Sequence, residues 1–456
     1  MNPRIAIIGA GPAGCALAMF LQARHIDCVV YDDEQKPDLI VGESLVSAVM
    51  PILRRLNIEE QVAAISTLKH GAALRHANGT RIDFRFRQFG KEYPDYSYNI
   101  PRPEFDQVLR QQAAAQGVRF VNQRAAVEAS NDPERDLQLT DASLQAAGLH
   151  RSTQPTILVD ATGRSRLFSR ALKLPAEKGG RNDISYFAHY THFAPDNVMQ
   201  GQVVTSVLDN GWSWQIPVKN CLSVGVVLNK EVAKSYGNSA EQRLETAIDR
   251  DPMLSKSGAQ RKRISSVKSY SNYQLISKQG FGKGWVLLGD AFGFVDPMLS
   301  PGVFMGLKSA VLLDKVLSKT DYCDEDLQAY CTEIADNHAA WNQLIEHFYN
   351  GRLLSLAAVR QNIQQNSGRF SLPRLIEPYI SRVISSLVSG VKTHSQFNQA
   401  VLEHSLQHML KGETSAIAEH AIRTAAPLNI TSAQDKTDTA ANKIPQKADT
   451  LDKSAA

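Results

Sequence analysis

Near the start of the chain, Ile5-Ala6-Ile7-Ile8 runs into Gly9-Ala10-Gly11-Pro12-Ala13-Gly14, and this G-x-G-x-x-G turn constrains the fold more than any other stretch. An apolar helix follows from Cys15 to Ala23, then a second strand, Cys28 to Tyr31, which ends at Asp32. Each part has a physical task. Gly9 permits the tight turn, Gly11 lets backbone approach a pyrophosphate, and Gly14 lets helix pack close to strand. The helix N-terminus offers unpaired N–H groups and the positive end of a dipole to phosphates. Asp32 is placed to accept hydrogen bonds from ribose hydroxyls. Strand, turn, helix, strand and acid in this order specify a dinucleotide-binding βαβ unit, without separating NAD from FAD.

Bulk properties narrow the setting. The chain has 456 residues, 43% of them hydrophobic and 21% charged, enough for one large domain or two to three smaller ones. Its 50 basic and 46 acidic residues leave a net charge of +4, which gives no case for nucleic acid or a membrane surface as partner. No apolar run approaches a membrane span, and the first strand starts too early for a signal peptide. Five scattered cysteines without a C-x-x-C pair fit a reducing, cytoplasmic setting, and no metal-ligand spacing is present.

Further along, a helix is expected over Ala48 to Leu56, with Ser44 or Ser47 as its cap. Extended runs flank Asn78-Gly79, a hairpin signal. Lys69 stands just before the first of them, where most lysines are solvated. A helix over 107–116 has Pro103 at its start and Gly117 at its end. Residues 125 to 160 read as a β-meander ending in the buried strand Thr156 to Asp160, and Asp160 opens a turn containing Gly163. Alternating β-branched and aromatic residues over 183 to 228 read as an antiparallel sheet, and 239 to 250 as a short helix. A buried strand ends at Gly289-Asp290, and a loop then leads into a helix over Val303 to Leu317. Residues 323 to 411 read as mostly helical, with breaks near Gly368 and Pro373. From about Ala425 the composition is that of a disordered tail.

The fold expected is α/β, α+β overall. A Rossmann-like nucleotide-binding domain (1–175) returns at 271–320, interrupted by an antiparallel-sheet substrate domain (176–270). A helical region (321–424) and a tail (425–456) follow.

Three corners converge on one ligand: Gly9 to Gly14 with Asp32, Asp160 to Arg166, and Gly289-Asp290. In order and spacing they resemble the class A flavoprotein monooxygenases, which implies FAD, with Asp290 bonding the ribityl chain. Gly211-Trp212-Ser213-Trp214-Gln215-Ile216-Pro217 resembles the W-x-W-x-I-P signature of flavin-dependent halogenases. Phe294, Pro297, Ser300 and Gly302 resemble their F-x-x-P-x-x-S-x-G segment, as do Gly42-Glu43-Ser44 and the Arg102/Phe105-Asp106 segment. The match covers roughly residues 4 to 310. Taken alone, Trp212 and Trp214 also suit a strand with bulky residues on one face.

The resemblance implies that reduced FAD reacts with O2 to give a C4a-hydroperoxide. A halide attacks this, and the oxidised halogen travels to a lysine, by position Lys69. NAD(P)H would supply electrons directly or through a separate flavin reductase. One departure matters: halogenases carry Ser-Thr-Gly or Ser-Ser-Gly where this chain has Ser300-Pro301-Gly302, and proline has no N–H to hold a halide. Losing one such donor costs about 1.5–3 kcal/mol. The carboxylate that tryptophan-specific members place before that serine is Leu299 here. The reading favoured is therefore an FAD-dependent monooxygenase on the halogenase scaffold, acting on an electron-rich aromatic, free or carried on a protein. A tryptophan of a partner oxidase undergoing quinone-cofactor formation is one such substrate. A halogenase acting on a phenol or pyrrole is the alternative. An isoprenoid reductase and a non-catalytic flavin-binding maturation protein are further ones.

Overall fold

The computed structural model describes residues 4–409 apart from 34, 36, 78, 195–198, 209, 272–273 and 355–371. The expectations for Asn78, Gly368 and the tail after Ala425 lie outside the described residues.

Two large sheets organise the chain. Ile5–Ile8 is buried along its whole length and pairs in parallel with both Cys28–Tyr31 and Ile157–Asp160. Continuous apolar strands of this kind suit a parallel sheet covered on both faces. Arg119–Val121 extends the sheet on one side, and Trp285–Leu287 with the antiparallel edge Phe281–Gly282 on the other. The return of the chain at 285 thus sets Gly289-Asp290 beside the carboxyl ends of the first strands, where open α/β sheets bind ligands. The helices Pro12–Gln22 and Gly302–Leu317 pack on each other over this sheet.

The second sheet has eight strands. Its centre is the antiparallel series Asp183–Thr191, Cys221–Asn229, Gly211–Val218 and Val203–Leu208. The antiparallel region does not begin at 176, however. The hairpin Gly71–His76 and Arg81–Arg85 belongs to this sheet, with Gly71–His76 parallel to Val203–Leu208. Parallel pairing of strands so distant in sequence leaves no local signature. A separate three-stranded sheet joins Ala176–Lys178, Leu275–Ser277 and Gly293–Phe294.

Other local expectations change. The meander over 125–160 is a two-stranded hairpin, Val127–Ala129 with Leu137–Leu139, followed by the helix Asp141–Ala146. Thr140 starts that helix by accepting a hydrogen bond from Ser143 N–H, and Asp141 sits favourably in its first turn. The helix at 48–56 splits into a 3-10 turn, Ser47–Val49, and Met50–Arg55, with Pro51 in the first turn of the latter. Neither Ser44 nor Ser47 caps it with a side-chain hydrogen bond. Arg102–Ala115 begins earlier than expected because Pro103 suits a first turn. The C-terminal helices are Asp324–Tyr349, Leu372–Val388 and Gln396–Met409, so Pro373 stands in the first turn of the second. No helix among the described residues is long and apolar enough to cross a membrane.

Candidate active site

A cavity of about 600 Å³ lies between the two sheets, and the three sequence corners meet on it. At the first corner the glycines divide the work. Gly9 has φ +111°, and a Cβ there would stand 2.4 Å from the Ala161 carbonyl oxygen. A Cβ on Gly14 would stand 2.0 Å from the Gly9 oxygen, so Gly14 serves the contact of helix with strand and does not reach the cavity wall. Gly11 faces open space on the wall, next to Ala13 and a helix start without a side-chain cap. This arrangement has the space and the free N–H groups that a pyrophosphate would need. Asp32 lies on the same wall and accepts from Arg110 Nη1 at 3.2 Å. Arg102 also faces the cavity, held by the Val41 carbonyl at 2.7 Å and by Asp106. These residues fit the dinucleotide half of FAD.

Asp160, expected at the cofactor, does not reach the cavity. It is fully buried off the cavity wall, and its carboxylate accepts from Thr162 N–H (3.0 Å), Thr162 Oγ1 (2.6 Å) and Phe168 N–H (2.8 Å). Those bonds shape the loop whose Thr162, Gly163 and Arg164 do line the cavity. The Arg164 guanidinium sits 4.8 Å from the Tyr270 ring centroid, a contact the sequence did not announce.

At the third corner Asp290 faces the cavity. Burial raises its pKa to about 6, with Arg102 and Arg164 pulling the other way. Gly289 packs behind it: φ is +59°, its N–H donates to Ser309 Oγ at 3.1 Å, and a Cβ would meet Ala13 at 3.1 Å. Pro297, Ser300 and Gly302 line the cavity, whereas Pro301 does not. Leu299 and Ser300 both have left-handed backbones, φ +66° and +63°. Ser300 N–H is spent on the Pro297 carbonyl at 3.0 Å. The first intrahelical bond of Gly302–Leu317 is Met305 N–H to Pro301 O, so the N–H groups of Gly302, Val303 and Phe304 have no helical acceptor. The anion-binding capacity near Pro301 therefore resides in a 16-residue helix N-terminus, beyond the proline.

Lys69 ends the strand Thr67–Lys69 and is 2% exposed, not solvated. Its Nζ donates to Ser44 Oγ at 2.8 Å and to the Leu45 carbonyl at 3.0 Å, and lies 5.1 Å from the Phe86 ring centroid. Ser44 is thus a cavity-wall acceptor for the lysine. Lys69 has no ion-pair partner among the described residues, and burial lowers its pKa to about 7. Glu43, from the same G-E-S segment, is committed elsewhere: its Oε1 lies 2.5 Å from His189 Nε2. Burial depresses that imidazole, but hydrogen bonds to Cys221 and Glu43 outweigh it and raise the pKa to about 10.

Trp212 and Trp214 line the cavity with ring centroids 5.7 Å apart. Trp212 Nε1 donates to Tyr349 Oη at 2.8 Å and Trp214 Nε1 to Ser223 Oγ at 3.2 Å. Around them the sheet contributes Ala72, Leu74, Val203, Thr205 and Ile216, none charged. Phe86 and Val388 complete this side, and neither was expected from the sequence. For Phe86 the signal available was the period-two alternation of its hairpin; for Val388 there was none.

Fold and site together fit a flavoprotein oxidoreductase, with a buried lysine on the wall of the cavity where the nucleotide corners meet. A family model described as tryptophan halogenase matches residues 4–94 and 87–355, so the chain belongs to the tryptophan halogenase family. Enzymes of that family are FAD-dependent oxidoreductases, and so is this chain. It is 27% identical to a tryptophan 2-halogenase of Chondromyces crocatus, over 86% of this chain and 76% of the relative. It is 26% identical to a 1H-pyrrole-2-carbonyl-[peptidyl-carrier protein] chlorinase of Pseudomonas fluorescens, over 78% of this chain and 85% of the relative. The fold is similar to that of the flavin-dependent brominase Bmp2, at TM-score 0.72 and 19% identity, covering 90% of this chain and 99% of that one.

Proposed function

We propose that this protein is a flavin-dependent halogenase acting on an uncharged, electron-rich aromatic. The observation that carries the reading is Lys69: a buried amine with no ion-pair partner among the described residues, on the wall of the cavity that also bears the nucleotide corners and the tryptophan pair. Family membership supports halogenation above the monooxygenase reading drawn from Ser300-Pro301-Gly302, and gives no support to an isoprenoid reductase or a partner-protein tryptophan as substrate. The loss of the Pro301 N–H is offset by the donors at the start of Gly302–Leu317.

Gly11, Ala13, Asp32, Arg102 and Asp290 would hold FAD, which would supply oxygen activation when bound and reduced. NAD(P)H provides the electrons through a separate flavin reductase, the partner this reading implies. The helix start at Gly302 holds the halide anion. Lys69 Nζ offers a hydrogen bond or a proton to the oxidised halogen and orients it toward the ring, a role suited to an amine that titrates near neutrality. Ser44 Oγ and Leu45 O fix where that nitrogen points.

The sheet side of the cavity argues for a neutral ring. A free amino acid would bury an ammonium and a carboxylate against Ala72, Leu74, Val203 and Ile216 without partners, which is costly. A phenol or pyrrole, free or borne on a carrier protein, leaves no such charge behind. The test is to supply FAD, a flavin reductase, NADH, O2 and bromide with a panel of phenols, pyrroles and tryptophan, and to read products by mass spectrometry. Monobromination of a neutral ring is expected; hydroxylation independent of bromide would return the monooxygenase reading.

A further inference from the structure

The C-terminal helices lie beyond the motifs that define the cofactor corners, yet one of their residues reaches two of the site's walls. Tyr349, the last residue of Asp324–Tyr349, is buried. Its hydroxyl accepts from Trp212 Nε1 at 2.8 Å and donates to Asp296 Oδ2 at 2.9 Å. Asp296 Oδ1 in turn accepts Met298 N–H at 2.9 Å. The guanidinium of Arg181 covers the Tyr349 ring at 3.6 Å from the centroid and pairs with Asp183 at 2.6 Å, so the buried carboxylates have a nearby cation.

This chain of contacts ends on a strained segment. Directly after Met298 come Leu299 and Ser300, consecutive non-glycine residues with left-handed backbones. Such a conformation persists only where the surroundings enforce it. The enforcing groups here are Asp296, which fixes Met298, and the Pro297 carbonyl, which takes Ser300 N–H. Pro297, Leu299, Ser300 and Gly302 face the cavity.

We propose that Tyr349 is a positioning residue that locks the flavin-side loop 296–302 to the Trp212 wall, making the C-terminal helix an integral part of the cofactor site. The phenol hydroxyl accepts from the indole and donates to the carboxylate, and a phenylalanine ring can do neither. Phenylalanine fills the same volume and leaves both partners unpaired. The inference rests on FAD occupying the cavity and is independent of which aromatic is the substrate.

The experiment uses the full chain and Tyr349→Phe, with FAD affinity from flavin fluorescence, the visible spectrum of bound flavin, and its response to bromide. Tyr349→Phe is expected to weaken FAD about tenfold or more, as befits one lost hydrogen bond to a charged group, and to alter the flavin spectrum. Asp296→Asn is expected to weaken FAD in the same way, and the double variant to be no worse than the stronger single one. Trp341→Phe, buried on the same helix but outside this chain of contacts, is expected to lower the melting temperature with FAD affinity unchanged. Parental FAD affinity and spectrum in Tyr349→Phe would overturn the proposal, as would an equal loss in Trp341→Phe. If Tyr349→Phe does not fold, Asp296→Asn carries the same test. A parent protein blind to bromide would count against the halogenase reading alone, because the FAD measurements do not depend on it.

Discussion

Replacing Lys69 with methionine should stabilise the protein near neutral pH and destabilise it at high pH. The folded site lowers the amine from 10.5 to about 7. At about 1.4 kcal/mol per pKa unit, keeping the lysine charged in the fold costs about 5 kcal/mol. The sign follows from linkage: between pH 10.5 and 7 the unfolded chain binds the proton and the folded chain does not, so the parent loses stability as pH falls through that window. Below pH 7 both states are protonated and the penalty is constant. Methionine has nearly the same shape and no charge, so it escapes the penalty. It also leaves Ser44 Oγ and the Leu45 carbonyl without their donor, at about 1–3 kcal/mol. The net gain at pH 7 is about 2 kcal/mol, and at pH 10.5 the balance reverses to a loss of about 1–2 kcal/mol. Urea midpoints of the FAD-free parent and variant, compared from pH 7 to 10.5, measure this directly. A difference that does not change with pH would refute the reasoning, because it would mean Lys69 is solvated or paired with an acid. The same variant should bind FAD with parental affinity and form no halogenated product.

Asp290→Ala should weaken FAD by about tenfold or more, read by flavin fluorescence, since a cavity-facing acceptor is lost. Pro301→Thr restores a backbone N–H at a position off the cavity wall and should leave the bromide response of the flavin spectrum unchanged; a tightening of about tenfold or more would mean that the N–H at 301, and not only the helix start at Gly302, reaches the halide. Gly14→Ala should cost about 3 kcal/mol or more in stability, because its Cβ would stand 2.0 Å from a backbone oxygen that helix packing cannot move.

Legibility followed the range of the interactions. The nucleotide corner was plain because Gly9, Gly11, Gly14 and Asp32 are set by one local unit whose geometry admits few residue types. Asp160 looked equivalent to Asp290, since both end buried strands. Only the structure shows that Thr162 and Phe168 consume its oxygens, while Asp290 is left to the cavity. Ser44 looked like a cap because serine before a helix usually is one, but the lysine that claims it comes 25 residues later. The membership of Gly71–His76 and Arg81–Arg85 in the second sheet depends on pairing of the former with strand Val203–Leu208, and alternation reveals a strand but not its partner. Tyr349 was invisible for the same reason: it meets Trp212 across 137 residues and Asp296 across 53.

The central claim is that a halide is oxidised in this cavity, and bromide dependence of flavin reoxidation tests it most directly. The FAD-loaded protein is reduced, mixed with O2 in a stopped-flow instrument, and followed by flavin absorbance with and without bromide. Traces that change with bromide and saturate with its concentration are what a halide site at Gly302 predicts. Traces that are indifferent to bromide at every concentration would contradict it and return the protein to oxygen transfer.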